Sequence, residues 1–341
     1  MGNKIVALRV DGGKDIGMGH IMRTMALAND LKRDEEVERV FYITKNEQSA
    51  VKKLKENDFE VVTIEKNLTY KKEIEKVKEI IKKEEVNKLI TDSYEIDQNY
   101  LIEMRKVVDK LVTIHDYTPF AFPSHVVING NAYAEDLDYE SLYGDTEFRL
   151  GMDYLLLREE FRNLPEIEVR DKVQNILVTV GGYDLRNLTP KIIKALNFID
   201  FDKMEAQYID KENLHIDVVI GPSFDNVDQI VAEVEKSNLD ISLNFNVKKM
   251  SKLMMKSDIA ISSGGSTLYE LAVTKTPALV LLQAENQIRV ADKLDGKSII
   301  SLGFKRIDIF LKKKLLFLMK YKNKFYNNIN KDICPPLIKF D

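Results

Sequence analysis

Apolar residues along this chain fall in short runs, separated by stretches of helical spacing. The runs at 4–10, 38–43, 59–64, 88–91, 111–114 and 125–128 are rich in β-branched residues and do not alternate with polar ones. Unbroken runs of that kind suit strands of a parallel sheet covered on both faces. Between them, 20–33 and 71–84 read as helices, and Ile74, Val77, Ile80 and Ile81 recur at helical spacing in the second. This βαβα order predicts one doubly wound domain over 1–150. A second series follows, with strands expected at 175–180, 216–220, 241–245, 258–262 and 278–282. Helices are expected at 187–197, 226–236, 247–256, 267–274 and 287–294. The charged stretch holding Pro165 makes 151–172 the natural linker, and 173–303 the second domain. The expected fold class is α/β, with two doubly wound Rossmann-like domains.

Residues 304–341 break the pattern. From residue 305 onward, ten Lys and Arg stand against three Asp, beside the apolar group Phe310, Leu311, Leu315, Leu316, Phe317, Leu318 and Met319. A terminal helix packed on a domain, with lysine stems lying over apolar surface, is the simpler reading. Weak peripheral attachment to an anionic membrane surface is the alternative.

Composition narrows the partners. The 341 residues are 44% hydrophobic and carry a formal charge of −4. That balance argues against nucleic acid as a partner. No stretch approaches the roughly 20 apolar residues of a membrane span. The opening residues lack the apolar core of a signal peptide. The single cysteine, Cys334, excludes an internal disulfide and a cysteine zinc cluster. A cytoplasmic location is expected.

In doubly wound sheets, ligands bind beyond the carboxyl ends of the strands. Three glycine-containing loops meet that description. The first runs from Asp11 to His20, where Gly17 and Gly19 let the backbone approach a ligand. His20 then falls near a helix start, whose positive end favours a neutral imidazole able to act as a base. Neither a Walker A nor a clean G-x-G-x-x-G is present. The second loop, with Gly181, Gly182 and Asp184, offers backbone amides to a phosphate or simply makes a tight turn. The third holds Ser263, Gly264, Gly265, Ser266 and Thr267 ahead of a helix, and suits a pyrophosphate. Glu270, one turn in, can accept two hydrogen bonds from a ribose diol. Capping by Ser266 or Thr267 is the structural alternative. Asn286 and Gln287 add amides at the same sheet edge. Asp136 and Asp138 spell D-x-D, but in an acidic loop that reads as a solvated face. His115 with Asp116 follows a strand and reads mainly as structural, as do His125 and His215.

Taken together, these loops resemble those of a known family. The matching pieces are Gly17-Met18-Gly19-His20, Thr91-Asp92-Ser93-Tyr94, Asn129-Gly130-Asn131-Ala132-Tyr133 and Leu150-Gly151 through Phe161. Val180–Asp184, the 262–270 loop and Asn286-Gln287 complete the set. The chain resembles the PseG-type UDP-sugar hydrolases of the pseudaminic acid pathway and the spore-coat polysaccharide SpsG proteins. The resemblance implies a GT-B-like, MurG-like fold, with two domains facing across a cleft and UDP held mainly by the second. It implies removal of UDP from UDP-2,4-diacetamido-2,4,6-trideoxy-β-L-altropyranose by water attack at the anomeric carbon, with inversion. The family's base falls on His20, its tyrosine on Tyr94 and its ribose-binding glutamate on Glu270. Asp11 and Asn131 are further candidates for contacting the sugar. A nucleotide diphosphate leaving group needs charge stabilisation more than protonation, and backbone amides at helix starts supply it, so no metal or other cofactor is expected. Three other readings remain: a metal-independent glycosyltransferase on the same fold, a nucleotide-sugar 2-epimerase, and a non-catalytic binding protein. Tyr269 departs from the Trp or Asn common before the glutamate, and the basic tail has no match.

Overall fold

The computed structural model describes residues 4–13, 16–162, 164–167, 169–304 and 307–329. Cys334 lies outside them. The chain divides into two compact units, one running to Arg158 and the other beginning at Glu159.

The first unit alternates strand and helix: β1 (Lys4–Val10), α1 (Gly19–Leu31), β2 (Val37–Lys45), α2 (Gln48–Lys55), β3 (Glu60–Ile64), α3 (Tyr70–Lys83), β4 (Lys88–Asp92), α4 (Gln98–Arg105), β5 (Lys110–Ile114), β6 (Val126–Asn129) and β7 (Glu147–Leu150). All strand pairs are parallel, in the order β3-β2-β1-β4-β5-β6-β7. The central strands are buried because helices cover both faces. Ile21 and Leu27 of α1 and Leu54 of α2 pack on one face with Val6, Leu8 and Ile90. Val77 and Ile81 of α3 and Leu101 and Met104 of α4 pack on the other with Ala7, Phe41 and Leu89. Asp97 caps α4 by accepting the Tyr100 amide at 2.9 Å, satisfying one of its open donors.

The second unit repeats the scheme: β8 (Asn175–Thr179), α5 (Leu188–Asn197), β9 (His215–Ile220), α6 (Val227–Glu235), β10 (Asp240–Phe245), α7 (Met250–Lys256), β11 (Ile259–Ser263), α8 (Thr267–Val273), β12 (Ala278–Leu281), α9 (Ile288–Leu294), β13 (Ile299–Gly303) and α10 (Ile307–Ile329). Its parallel sheet runs β10-β9-β8-β11-β12-β13. Much of the basic tail is core: Leu311, Leu315, Leu318, Met319 and Phe325 of α10 are buried with Ile192, Leu196 and Leu302. Leu316 and Phe317 of the same apolar group point outward, and the Phe310 side chain lies outside the described set.

Four elements go beyond the sequence reading. Helix α2 buries only Ala50 and Leu54, and α4 only Tyr100, Leu101 and Met104, so neither displays a long periodic stripe. Strand β7 is a four-residue edge, Glu-Phe-Arg-Leu, with no fully buried residue. Strand β13 is apolar but sits against the tail, whose lysines obscure the pattern.

In each sheet the chain reverses its direction of growth between two central strands: β1 and β4 in the first, β8 and β11 in the second. The carboxyl ends of such a strand pair leave a crevice in which ligands bind. The Asp11–His20 loop follows β1, and Asp92 ends β4. Gly181 and Gly182 follow β8, Ser263 ends β11, and Gly264–Ser266 follow it.

Candidate active site

The loop after β1 closes on itself. Gly13 and Gly17 exchange backbone hydrogen bonds of 3.1 and 2.7 Å, and Gly17 has a φ of 83°, a left-handed conformation that glycine adopts without steric cost. This short loop delivers His20 as the second residue of α1. The His20 Nδ1 atom lies 2.7 Å from Oδ1 of Asp92. Because Asp92 is held ionised, Nδ1 is the protonated nitrogen and donates to it. Nε2 has no hydrogen-bond partner among the described residues.

Arg23, one helical turn after His20, ties the site together. Its Nε and Nη2 atoms donate to both oxygens of Asp92 at 2.6 Å, and Nη1 donates to Asp116 at 2.8 and 3.0 Å. Asp116 lies just beyond β5. It also accepts the Tyr94 hydroxyl and, at 2.9 Å, the Asn131 amide. The Tyr94 ring stands edge-on to the His20 imidazole, with centroids 4.7 Å apart. The structure thus brings His20, Tyr94 and Asn131 into one network through three charged residues.

Two carboxylates share one guanidinium here, which decides the charge state. Burial alone would raise the Asp92 pKa; Arg23 first and His20 second outweigh it and lower it. Burial works against Asp116 in the same way, yet Arg23 and the Tyr94 hydroxyl bring it down to about 2. Tyr94 moves the other way: burial and the Asp116 carboxylate push its hydroxyl above the ordinary phenol range. It therefore stays protonated and donates.

Asp11 is placed differently. It is 2% exposed, sits 2.7 Å from Arg9 Nη1 and accepts the Lys45 amide at 2.9 Å, so it fastens the end of β1 to β2. Its Oδ1 is committed to these partners, while its Oδ2 is buried without a hydrogen-bond partner among the described residues. Gly17 and Gly19 are exposed, with open space where a side chain would be.

In the second unit, Gly181 has a φ of 98°, and its carbonyl lies where a Cβ on Gly221 would come within 2.5 Å. The N-terminus of α5 behind this loop is occupied by a protein carboxylate: Asp184 accepts the Leu188 and Thr189 amides at 2.6 and 2.8 Å. The α8 terminus is different. No side chain caps it, so the capping alternative for Ser266 and Thr267 is not what the structure shows. Gly265, Ser266 and Thr267 are partly or fully exposed there, and Glu270 is buried one turn along. Ser263 is turned inward, its hydroxyl donating to the Val180 carbonyl at 2.8 Å. Gln287 is spent on the loop itself: its Oε1 accepts the amides of Gly264 at 3.1 Å and Gln283 at 2.9 Å. Asn286 is exposed. Among the described residues, no group of three or more His, Cys, Asp or Glu is placed to hold a metal ion.

Sequence reasoning missed Arg23, Asp92 and Asp116 as site residues. Two signals were legible: Arg23 lies on the His20 face of its helix, and each aspartate stands at or just beyond the carboxyl end of a buried strand.

No family model matches the chain. Whole-chain comparison does find relatives. An uncharacterised protein of Methanocaldococcus jannaschii is 30% identical over 292 residues, which are 83% of this chain and 56% of that one. The chain thus spans little more than half the length of this relative. The spore coat polysaccharide biosynthesis protein SpsG of Bacillus subtilis is 27% identical, covering 87% of this chain and 83% of that one. The UDP-2,4-diacetamido-2,4,6-trideoxy-β-L-altropyranose hydrolase of Campylobacter jejuni is 28% identical, covering 86% and 96%. Over most of its length the chain is thus similar to SpsG and to this hydrolase. Among solved structures, MurG of Acinetobacter baumannii matches 97% of this chain and 96% of its own, with a TM-score of 0.71 at 16% identity. That likeness shows the fold, which is of the GT-B type.

Proposed function

We propose that this protein hydrolyses a UDP-linked diacetamido-trideoxy sugar, with water attacking the anomeric carbon and UDP leaving. The His20–Asp92 pair is the observation that carries the reading. Water is a weak nucleophile and needs a positioned base, an arrangement typically worth about 10²–10⁴-fold. Asp92 fixes the imidazole with Nδ1–H inward, which leaves Nε2 to accept the water proton. The nearby carboxylate stabilises the imidazolium that forms. As the water oxygen bonds to C1, the C1–O bond breaks and its electron pair leaves with UDP. Tyr94 stays protonated, so its part is to orient the sugar or the water. Asn131 is assigned to contact a sugar amide or hydroxyl.

The uncapped start of α8 and the amides at Gly181 and Gly182 are the groups suited to the diphosphate, whose growing charge they would stabilise. Glu270 is assigned to the ribose and Asn286 to the outer rim of the site. Gln287 holds the loop in shape and acts on the ligand indirectly. The relatives named for UDP-sugar hydrolysis and for polysaccharide biosynthesis support nucleotide-sugar chemistry.

The likeness to MurG favours a second reading, a GT-B glycosyltransferase that passes the sugar to an acceptor. The two part in one experiment: incubation with the UDP-sugar and no acceptor. The hydrolase reading expects stoichiometric UDP and free sugar. Turnover only after an acceptor is added would replace it with the transferase.

A further inference from the structure

Helix α10 presents two unlike faces. Leu311, Leu315, Leu318, Met319 and Phe325 are consumed in the core of the second unit. The opposite side carries Lys312, Lys313, Leu316, Phe317, Lys320, Tyr321 and Lys324, all exposed. These positions follow i, i+1, i+4, i+5, i+8, i+9 and i+12, so they form one continuous stripe. Leu316, Phe317 and Tyr321 are 38%, 47% and 39% exposed, and the two rings lie tilted against each other with centroids 4.6 Å apart. None of the three belongs to the buried core of the second unit. From Ile309 to Ile329 the sequence holds six lysines and no Asp or Glu.

We infer that this stripe of α10 docks the protein on an anionic lipid surface. Apolar side chains at the centre of the face, with lysines before and after them, match the boundary between acyl chains and charged headgroups. The lysines reach outward to phosphate and carboxylate groups while the rings and Leu316 enter the apolar layer. Lysines alone would suit any polyanion. Exposed Leu and Phe between them contribute nothing to a nucleic-acid backbone, whereas an acyl layer takes them up. No described helix is long and apolar enough to cross a membrane, so the contact is peripheral. It places the protein where a lipid-linked or surface-bound glycan is handled, independently of whether His20 hydrolyses or transfers.

The chain contains no tryptophan. Phe317→Trp therefore installs a single reporter at an exposed position, and an unchanged melting curve verifies the fold. With vesicles of phosphatidylcholine containing about 30% phosphatidylserine, an anionic leaflet, its emission is expected to shift to the blue and to be quenched by doxyl-labelled lipid. Pure phosphatidylcholine vesicles and high salt are expected to abolish the shift. Replacing Lys312, Lys313 and Lys320 together by Gln is expected to weaken binding by about 10²-fold, from the loss of three surface charges. An emission spectrum that ignores anionic vesicles overturns the proposal. So does a shift that appears with rising protein concentration alone, which assigns the face to a second copy, or one produced equally by single-stranded DNA.

Discussion

His20 and Asp92 meet 2.7 Å apart across the point where the first sheet reverses its growth, although 72 residues separate them in the chain. Each side chain needs the other: the carboxylate fixes which nitrogen is free, and the imidazole helps keep the carboxylate ionised in a buried place. Replacing His20 by Asn should lower kcat by about 10²–10⁴-fold. UDP affinity, read by calorimetry, should stay within a few-fold. Asp92→Asn should cost about as much, because the tautomer is no longer fixed. Wild-type rates in either variant would remove the pair from the chemistry.

The pairing of Asp116 with Arg23 predicts an acid dependence of stability. Its pKa is about 2 in the folded chain, against an ordinary 3.8. A depressed carboxylate adds stability that is fully present above the unfolded value and is lost as pH falls through the folded one. The contribution is roughly 2 kcal/mol, present above about pH 4 and lost towards pH 2. Asp116→Asn should therefore destabilise the protein at neutral pH, with the gap from wild type closing by about that amount near pH 2. Urea unfolding at both pH values measures it, and a constant gap would show that Asp116 titrates normally.

Much of the fold was legible because buried parallel strands announce themselves as unbroken apolar runs, and the switch points follow from their order. The short helix α2 and the edge strand β7 were not, since two buried residues or a half-exposed strand leave no periodic trace. Of the site, His20 was readable from its glycine loop. Arg23, by contrast, joins aspartates 69 and 93 residues away, and only the folded sheet brings those strand ends together. Gln287 was read as a ligand contact; its bonds to Gly264 and Gln283 depend on a turn that composition does not reveal.

Gly221 tests the shape of the Gly181–Gly182 loop. A Cβ there would lie 2.5 Å from the Gly181 carbonyl oxygen and 2.6 Å from that of Gly182, both backbone atoms. Gly221→Ala should cost about 1–3 kcal/mol of stability, as overpacking does, and should weaken UDP binding by displacing the loop. Thermal melts and calorimetry read both; unchanged UDP affinity would separate the loop from the nucleotide.

Glu270 tests the ribose assignment. Its removal as Glu270→Ala should weaken UDP binding by about 1–3 kcal/mol, the scale of a hydrogen bond to a charged group. Binding of 2′,3′-dideoxy-UDP should then be equal in variant and wild type. A variant that still prefers the ribose diol would exclude the role.

The most direct test follows the oxygen. UDP-2,4-diacetamido-2,4,6-trideoxy-β-L-altropyranose, turned over in ¹⁸O-water without acceptor, should yield free sugar labelled at C1 with inverted configuration and unlabelled UDP. His20→Asn should suppress that product. Label in the β-phosphate of UDP, or no turnover until an acceptor is supplied, would contradict water attack at the anomeric carbon.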